Sequence, residues 1–304
     1  MTKFDVKILG CGSALPTTKH MPSSQLVEMN GKMFMIDCGE GTQLQMRKFG
    51  ARMGKLHSIF ISHLHGDHVF GLPGLVSSLS LLGRTRDLTI YAHKEFEIFI
   101  DPILNFFCKH LSYNINLIIL EKEGHSLIYE NKSMSVFSFP LKHRIDTSGF
   151  LFKEKKKQRH MIGEMINFYN IPFSEINNIK DGADFITSED EVIPNKRLTT
   201  PPNPPRSYAY CSDTAYDESI ASYIKEVDVL YHEATFGEAE IARAEKTAHS
   251  TARQAAQIAE LAKVKKLVIG HFSSRYKDLN PLLQEAKAVF PNTELAFEGK
   301  VIEL

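Results

Sequence analysis

One short stretch limits the possible structures of this chain more than any other. An apolar run ending at Ile61 passes into Ser62-His63-Leu64-His65-Gly66-Asp67-His68, which places three histidines and one aspartate within six residues. Histidines two apart at the end of a strand project to the same side. Gly66 then lets the backbone turn, so that Asp67 and His68 face a second point in space. Neutral imidazole and carboxylate are the donors zinc prefers. A solvated loop that merely happens to be rich in histidine is the bland alternative, and this spacing weighs strongly against it.

A two-metal site takes about seven protein contacts, so further donors must come from elsewhere in the chain. Three candidates share a placement. His143 follows the strand-like run Ser133–Pro140, Asp213 follows Tyr208–Cys211, and His271 follows Lys266–Ile269 through Gly270. Each sits just past the carboxyl end of a strand, where open α/β sheets bind ligands. Singly, each reads as a surface or capping residue; the repetition makes them a set. Two more positions stand beside them. Glu233 follows the run Val227–Tyr231, and His249 precedes an alanine-rich helix. His249 is either a proton donor oriented by Glu233 or a helix-flanking residue without chemistry. His232 reads as structural.

The rest of the pattern is β/α. Strands are expected at Phe4–Leu9, Gln25–Met29, Met33–Ile36, Ile59–Ser62, a run closed by Tyr91, Asn116–Leu120 and Ser126–Tyr129. Asn30-Gly31 between two of them is a strong hairpin signal, because both residues tolerate positive φ. Helices are expected over Leu72–Leu82 and Glu95–Lys109, from an N-cap at Ser250 or Thr251, and from Asn280-Pro281. Between Lys153 and about Glu191 the character changes. Lys153, Lys155, Lys156, Lys157 and Arg159 surround one acid, Glu154, and a short amphipathic patch, Met161–Tyr169, follows. Thr199-Thr-Pro-Pro-Asn-Pro-Pro205 cannot sit inside a helix or a central strand. The strand-rich regions on either side, Phe4–His143 and Tyr208–Leu304, read as halves of one sheet-containing body, and the basic segment reads as an insertion.

Composition sets the remaining bounds. With 43% hydrophobic residues in 304, the chain can bury a sizeable core without staples. Cys11, Cys38, Cys108 and Cys211 are far apart and lack CxxC spacing, so a reduced compartment is expected. No stretch approaches the roughly 18 to 20 apolar residues needed to span a bilayer, and the first residues do not form a signal peptide. The chain reads as soluble and cytoplasmic. Its charge balances at 36 basic against 36 acidic residues, so contact with nucleic acid has to be argued from local patches.

The chain resembles the metallo-β-lactamase superfamily through His63-Leu-His65-Gly-Asp67-His68, and within it the ribonuclease Z family. The latter likeness is carried by Leu9-Gly-Cys-Gly-Ser-Ala-Leu-Pro-Thr17, Ile36-Asp-Cys-Gly-Glu-Gly-Thr-Gln43 and Tyr208-Ala-Tyr-Cys-Ser-Asp213-Thr. His232-Glu-Ala-Thr235, His249-Ser-Thr251 and Gly270-His271-Phe-Ser-Ser-Arg-Tyr276 complete it. The resemblance implies a four-layer αββα sandwich spanning residues 1–304, with residues 152–190 as a protruding arm that binds tRNA, and a homodimer. It also implies two zinc ions per chain, with manganese as an alternative metal. His63, His65 and His143 would hold one ion, Asp67, His68 and His271 the other, and Asp213 would bridge. The Gly-Pro dipeptide frequent in that arm is absent between 150 and 190.

The activity so implied is endonucleolytic removal of 3′ trailers from precursor tRNA after the discriminator nucleotide, leaving a 3′-hydroxyl on the tRNA and a 5′-phosphate on the trailer. Asp67 would orient the attacking water and accept its proton. His249, supported by Glu233, would protonate the leaving oxygen. Lys155, Lys156, Lys157 and Arg159 would contact RNA, although such runs are usually solvated loops; Arg84, Arg86 and Arg275 are either further phosphate contacts or ordinary surface charges. A small-molecule phosphodiesterase or another hydrolase of the same fold shares the histidine loop, so that loop does not separate them. A metal- or RNA-binding scaffold with a dead site is the weakest alternative, because every expected ligand position is filled.

Overall fold

The structure is a computed structural model that describes residues 3–108 and 110–304. The chain divides into two compact units. One comprises residues 1–130, 135–152 and 206–304; the other comprises 131–134 and 153–205.

The first unit is built on two seven-stranded sheets. In the first sheet the order is Val301–Glu303, Phe4–Gly10, Ser24–Met29, Lys32–Ile36, Leu56–Phe60, Leu88–Ala92 and Ile115–Ile119. Pairing is antiparallel as far as Lys32–Ile36 and parallel beyond it. Asn30 and Gly31 join two of these strands at φ 50° and 79°, the turn that Asn-Gly favours. The second sheet runs Thr293–Leu295, Lys266–Gly270, Val229–Glu233, Ser207–Cys211, Thr147–Glu154, Met134–Leu141 and Ser126–Glu130. Its first four strands are parallel.

Alternation along the strands gives each sheet two faces. Phe34 and Phe60 of the first sheet meet Phe150 and Phe152 of the second, with ring centroids 5.4 to 5.9 Å apart. Each such buried ring contributes about 1.5–3 kcal/mol. On the opposite face, Met35, Ile59 and Ile90 pack with Leu72, Leu75, Val76 and Leu79 of helix Leu72–Leu81, and with Phe96 and Ile100 of helix Phe96–Phe107. Helix Ala252–Leu261 buries Ala252, Ala255, Ala256 and Ala259 and packs on the second sheet beside helix Asn280–Lys287. Thr251 is its N-cap, in a capping box with Gln254. The layers are therefore helix, sheet, sheet, helix.

Three elements differ from expectation by two residues or more at an end. The strand expected at Ile59–Ser62 occupies Leu56–Phe60, because its parallel pairing ends at Tyr91 and the Ser62 N–H is captured by Asp37 instead. The strand expected at Val227–Tyr231 is Val229–Glu233; ladders on both sides continue through His232 and Glu233. The helix expected over Glu95–Lys109 is Phe96–Phe107, and Lys109 lies outside the described residues. Strand Thr147–Glu154 was not anticipated at all.

The second unit has its own small core of Ile171, Ile179, Phe185, Ile193 and Leu198. Helices Gly163–Phe168, Ile176–Lys180 and Asn195–Leu198 surround it, and His160–Met161 pairs with Thr199–Thr200. Residues 153–190 of the expected insertion fall in this unit, which runs on to Pro205 because Ile193, Leu198 and Thr199 belong to its packing. Among the described residues no helix is long and apolar enough to cross a membrane.

Candidate metal centre

All seven donors expected from the sequence converge within the first unit. His63 Nε2 and His143 Nε2 lie 3.0 and 3.3 Å from His65 Nδ1. On the other side, Asp67 Oδ2 is 3.6 Å from His68 Nε2 and 3.3 Å from His271 Nε2. Asp213 stands between the two groups. Its Oδ2 is 3.5 Å from His63 Nε2 and 3.9 Å from His143 Nε2, while its Oδ1 is 3.4 Å from His68 Nε2 and 3.2 Å from His271 Nε2. Four donors at zinc-ligand bond lengths of about 2.0–2.1 Å, set tetrahedrally, would be about 3.3 Å apart. The observed spacings cluster around that value, in two sets that share one carboxylate.

Two polar atoms of the centre lack a hydrogen-bond partner. His68 Nε2 and Asp213 Oδ1 are buried and make no hydrogen bond. Buried polar atoms are rarely left so unless something else satisfies them. The residues fit a pair of divalent cations: His63, His65 and His143 with Asp213 for one, and Asp67, His68 and His271 with Asp213 for the other.

Three of the donor imidazoles are aimed by a contact behind them. His68 Nδ1 donates to Asp37 Oδ2 at 2.7 Å, His143 Nδ1 donates to the Ala248 carbonyl at 2.7 Å, and His271 Nδ1 is 2.9 Å from Thr235 Oγ1. A ring nitrogen held in this way fixes the tautomer and turns the other nitrogen inward. Asp37 also accepts the Ser62 N–H at 2.7 Å, the Ser62 hydroxyl at 2.9 Å and the Tyr210 hydroxyl at 2.8 Å. The Ala14 N–H donates to Asp67 Oδ2 at 2.7 Å.

The electrostatics divide the centre in the same way. Burial, reinforced by His68, pushes the His63 pKa well below its ordinary value; burial likewise lowers His65 and His143. These rings are neutral at pH 7, the form that ligates. Burial also acts against a charged His68, but Asp67, Asp213 and Asp37 around it outweigh that and hold its pKa well above the ordinary value. Burial would raise Asp67 and Asp213, yet the neighbouring imidazoles keep both below the usual carboxylate range. Two buried carboxylates, Asp37 and Asp213, and the partly buried Asp67 therefore call for positive charge at the second set of donors, which a divalent cation supplies.

A second arrangement adjoins the first. Glu233 is fully buried at the end of its strand. It accepts the Thr214, Ser250 and Thr235 N–H groups at 3.0 to 3.1 Å, the Thr235 hydroxyl at 2.7 Å and His249 Nδ1 at 2.8 Å. His249 Nδ1 also lies 3.9 Å from Asp213 Oδ2. Burial would lower the His249 pKa, but Glu233, with help from Asp213 and Asp67, lifts it to about 9. With Nδ1 held by Glu233, Nε2 is the nitrogen left to meet a substrate.

Comparison with known proteins bears on the whole chain. A family profile described as Anti-Pycsar protein Apyc1 matches residues 4–103. A ribonuclease Z of Parabacteroides distasonis is 56% identical over 299 residues, covering 98% of either chain. The chain belongs to the ribonuclease Z family. The crystal structure of human tRNase Z, short form, is similar at 27% identity with a TM-score of 0.71, covering 98% of each chain. The metallo-beta-lactamase fold protein YhfI from Bacillus subtilis shares the fold at 17% identity and a TM-score of 0.70, covering 99% of this chain and 100% of that one.

None of the remaining expected positions is among the donors. Lys155, Lys156, Lys157 and Arg159 belong to the second unit. There Lys156, Lys157 and Arg159, with Lys180, line a basic cavity of about 360 Å³. Arg159 donates to Thr199 Oγ1 at 2.6 Å, and Lys157 pairs with Glu154 at 3.5 Å. Arg84 is not a surface charge: it is buried, donates to the Leu56 and Asp87 carbonyls and lies over the Tyr113 ring. Arg275 is pinned by Ser273 and Glu240. His232 is buried and donates to the Glu233 carbonyl. Asp37, Ser62 and Thr235 were missed. Asp37 closes a strand just as the expected donors do, and that placement was the available signal.

Proposed function

We propose that this chain is a zinc-dependent endoribonuclease that removes 3′ trailers from precursor tRNA by cutting after the discriminator nucleotide. The observation that carries the proposal is the convergence of seven donors into two sets divided by Asp213, in a chain akin to ribonuclease Z along its length. His63, His65 and His143 would hold one ion and Asp67, His68 and His271 the other, with Asp213 standing between the two sets. When bound, the ions supply activation of water near pH 7 and neutralisation of charge building on the phosphate.

The side chains divide the remaining work. Asp67, held by the Ala14 N–H, orients the attacking water and takes up its proton. His249, protonated because Glu233 faces it, gives a proton to the leaving 3′ oxygen, so the tRNA ends in a 3′-hydroxyl and the trailer in a 5′-phosphate. Lys155, Lys156, Lys157 and Arg159 bind the RNA backbone, with residues 152–190 acting as the tRNA-binding arm of a chain that is otherwise one domain. The protein acts in the cytoplasm as a homodimer. Ile98, Phe106 and Phe107 are each about three-quarters exposed on one helix and offer an apolar surface for a second copy.

The test is incubation of the purified protein with a precursor tRNA bearing a 3′ trailer, with and without chelator, followed by mapping of the cut and its end groups. Cleavage that survives chelation, or a cyclic phosphate on the tRNA, would sink the mechanism. Replacing Lys155, Lys156 and Lys157 with alanine separates an RNA enzyme from a small-molecule phosphodiesterase. Precursor cleavage should fall while hydrolysis of bis-p-nitrophenyl phosphate persists; equal loss of both would reject the arm's role.

A further inference from the structure

Outside the seven donors, three other metal-ligating side chains converge within the first unit. Cys11 Sγ lies 3.6 Å from His20 Nδ1 and 3.7 Å from Glu298 Oε1, and His20 Nδ1 lies 3.1 Å from Glu298 Oε2. We propose that Cys11, His20 and Glu298 form a separate site for one divalent cation of the zinc class, additional to the pair held by the seven donors.

The spacings, which also serve as hydrogen bonds in the metal-free protein, suit a metal. Zinc with a sulfur at about 2.3 Å and nitrogen or oxygen at about 2.0–2.1 Å would set sulfur about 3.6 Å from its neighbours, and nitrogen about 3.3 Å from oxygen. The sulfur–nitrogen spacing and the nitrogen–oxygen spacing to Glu298 Oε2 match within a few tenths of an ångström, and Oε1 of the same carboxylate stands 3.7 Å from the sulfur. Thiolate, imidazole and carboxylate together favour zinc over magnesium or calcium, which take oxygen donors.

Thiolate, neutral imidazole, carboxylate and a divalent cation sum to zero, so a bound cation leaves no net charge among these three donors. The donors are also held before any ion arrives. The Gly12 N–H donates to the Met21 carbonyl at 2.9 Å, which closes the loop carrying Cys11 and His20. The Met21 N–H donates to Glu298 Oε1 at 2.8 Å, and the Gly299 N–H donates to the Ile8 carbonyl at 2.8 Å. Cys11 is fully buried, whereas the His20 side chain is 22% exposed, leaving a route for the ion and room for a fourth, solvent ligand.

The position gives the site a purpose. The same loop carries Ala14, whose N–H holds Asp67 Oδ2, and Gly12–Ser13 pairs with Phe272–Ser273 immediately after His271. A cation at Cys11, His20 and Glu298 fastens this loop to the segment before the last strand and steadies two of the seven donors from behind.

Cobalt(II) reports the site without any assay of activity. None of the seven donors of the main centre is sulfur, so a thiolate-to-cobalt charge-transfer band in the near ultraviolet belongs to Cys11. The metal-stripped full-length protein should develop that band on cobalt titration and lose it on adding zinc. Cys11→Ser should abolish it. His20→Ala, at a partly exposed position, should shift the titration to at least about tenfold higher cobalt. Absence of the band in the unaltered protein, its persistence in Cys11→Ser, or an unmoved midpoint in His20→Ala would each overturn the proposal. Failure of tRNA cleavage would leave the band untouched, so the two proposals fail separately.

Discussion

Asp37→Asn is the most informative single change, because it alters one atom at the back of the centre and no donor. The carboxylate takes four hydrogen bonds: the Ser62 N–H on Oδ1, and Ser62 Oγ, Tyr210 Oη and His68 Nδ1 on Oδ2. An amide offers one oxygen, so it has two ways to fit. With its nitrogen toward Ser62, two N–H groups oppose each other and one charge-assisted bond is lost, costing about 1.5–3 kcal/mol. With its nitrogen toward Ser62 Oγ, Tyr210 and His68, two amide hydrogens face three groups; the hydroxyls can turn to accept, but the proton on His68 Nδ1 opposes the amide unless it moves to Nε2. That proton then points at the other donors and blocks ligation. Either orientation weakens metal binding, and loss of an orienting partner of this kind typically costs 10–100-fold in affinity. Zinc affinity would be measured by competition with a chromophoric chelator, and stability by denaturant unfolding of metal-loaded and stripped protein. Tyr210→Phe is the control: it removes one neutral donor, should cost about 1 kcal/mol and should leave the His68 tautomer alone. A folded Asp37→Asn protein whose zinc affinity stayed within about twofold of the original, where 10–100-fold is expected, would refute this account of how His68 is held.

Three other expectations concern the reaction and the packing beneath it. Asp67→Ala should lose precursor cleavage, and retention of more than about a tenth of the original kcat would reject it as essential, since general-base groups typically contribute 10²–10⁴. His249→Ala should lower kcat by about 10²–10⁴ with little change in KM for the precursor; a loss confined to KM would point to substrate binding instead. Gly270→Ala would place a Cβ 2.1 Å from the Tyr231 hydroxyl, and Tyr231 is fully buried and stacked on Tyr210 with centroids 5.1 Å apart. Because that ring has nowhere to move, stability should fall by about 1–3 kcal/mol; an unchanged unfolding midpoint would show that the second sheet gives way more easily than its packing implies.

The convergence of the seven proposed donors was legible in the sequence because metal chemistry restricts residue type and the α/β topology restricts place. His63, His65, Asp67 and His68 announce themselves by spacing, and His143, Asp213 and His271 by standing at strand ends. The fold was legible for a related reason. Period-two runs such as Phe4–Gly10 and the alanine stripe of Ala252–Leu261 record which face is buried. The second unit was harder to bound. Its basic start is a change of composition, but its end is set by Ile193 and Leu198 joining a core with Ile171 and Ile179, and small apolar residues in a polar stretch carry no period.

What positions the donors was not legible, and the reason is separation along the chain. Asp37 meets Ser62, His68 and Tyr210 across 25, 31 and 173 residues, and Thr235 meets His271 across 36. Nothing local marks a lone aspartate after a strand as the acceptor of four donors. Glu233 shows the same limit differently. Local pattern ended its strand at Tyr231, yet pairing with Cys211 on one side and Gly270 on the other carried the strand two residues further. That extension brings the carboxylate within 2.8 Å of His249 and beneath the Thr214, Thr235 and Ser250 amides. A ladder formed by distant neighbours, rather than the propensity of Val229–Glu233 itself, is what puts a buried carboxylate beside the His249 imidazole.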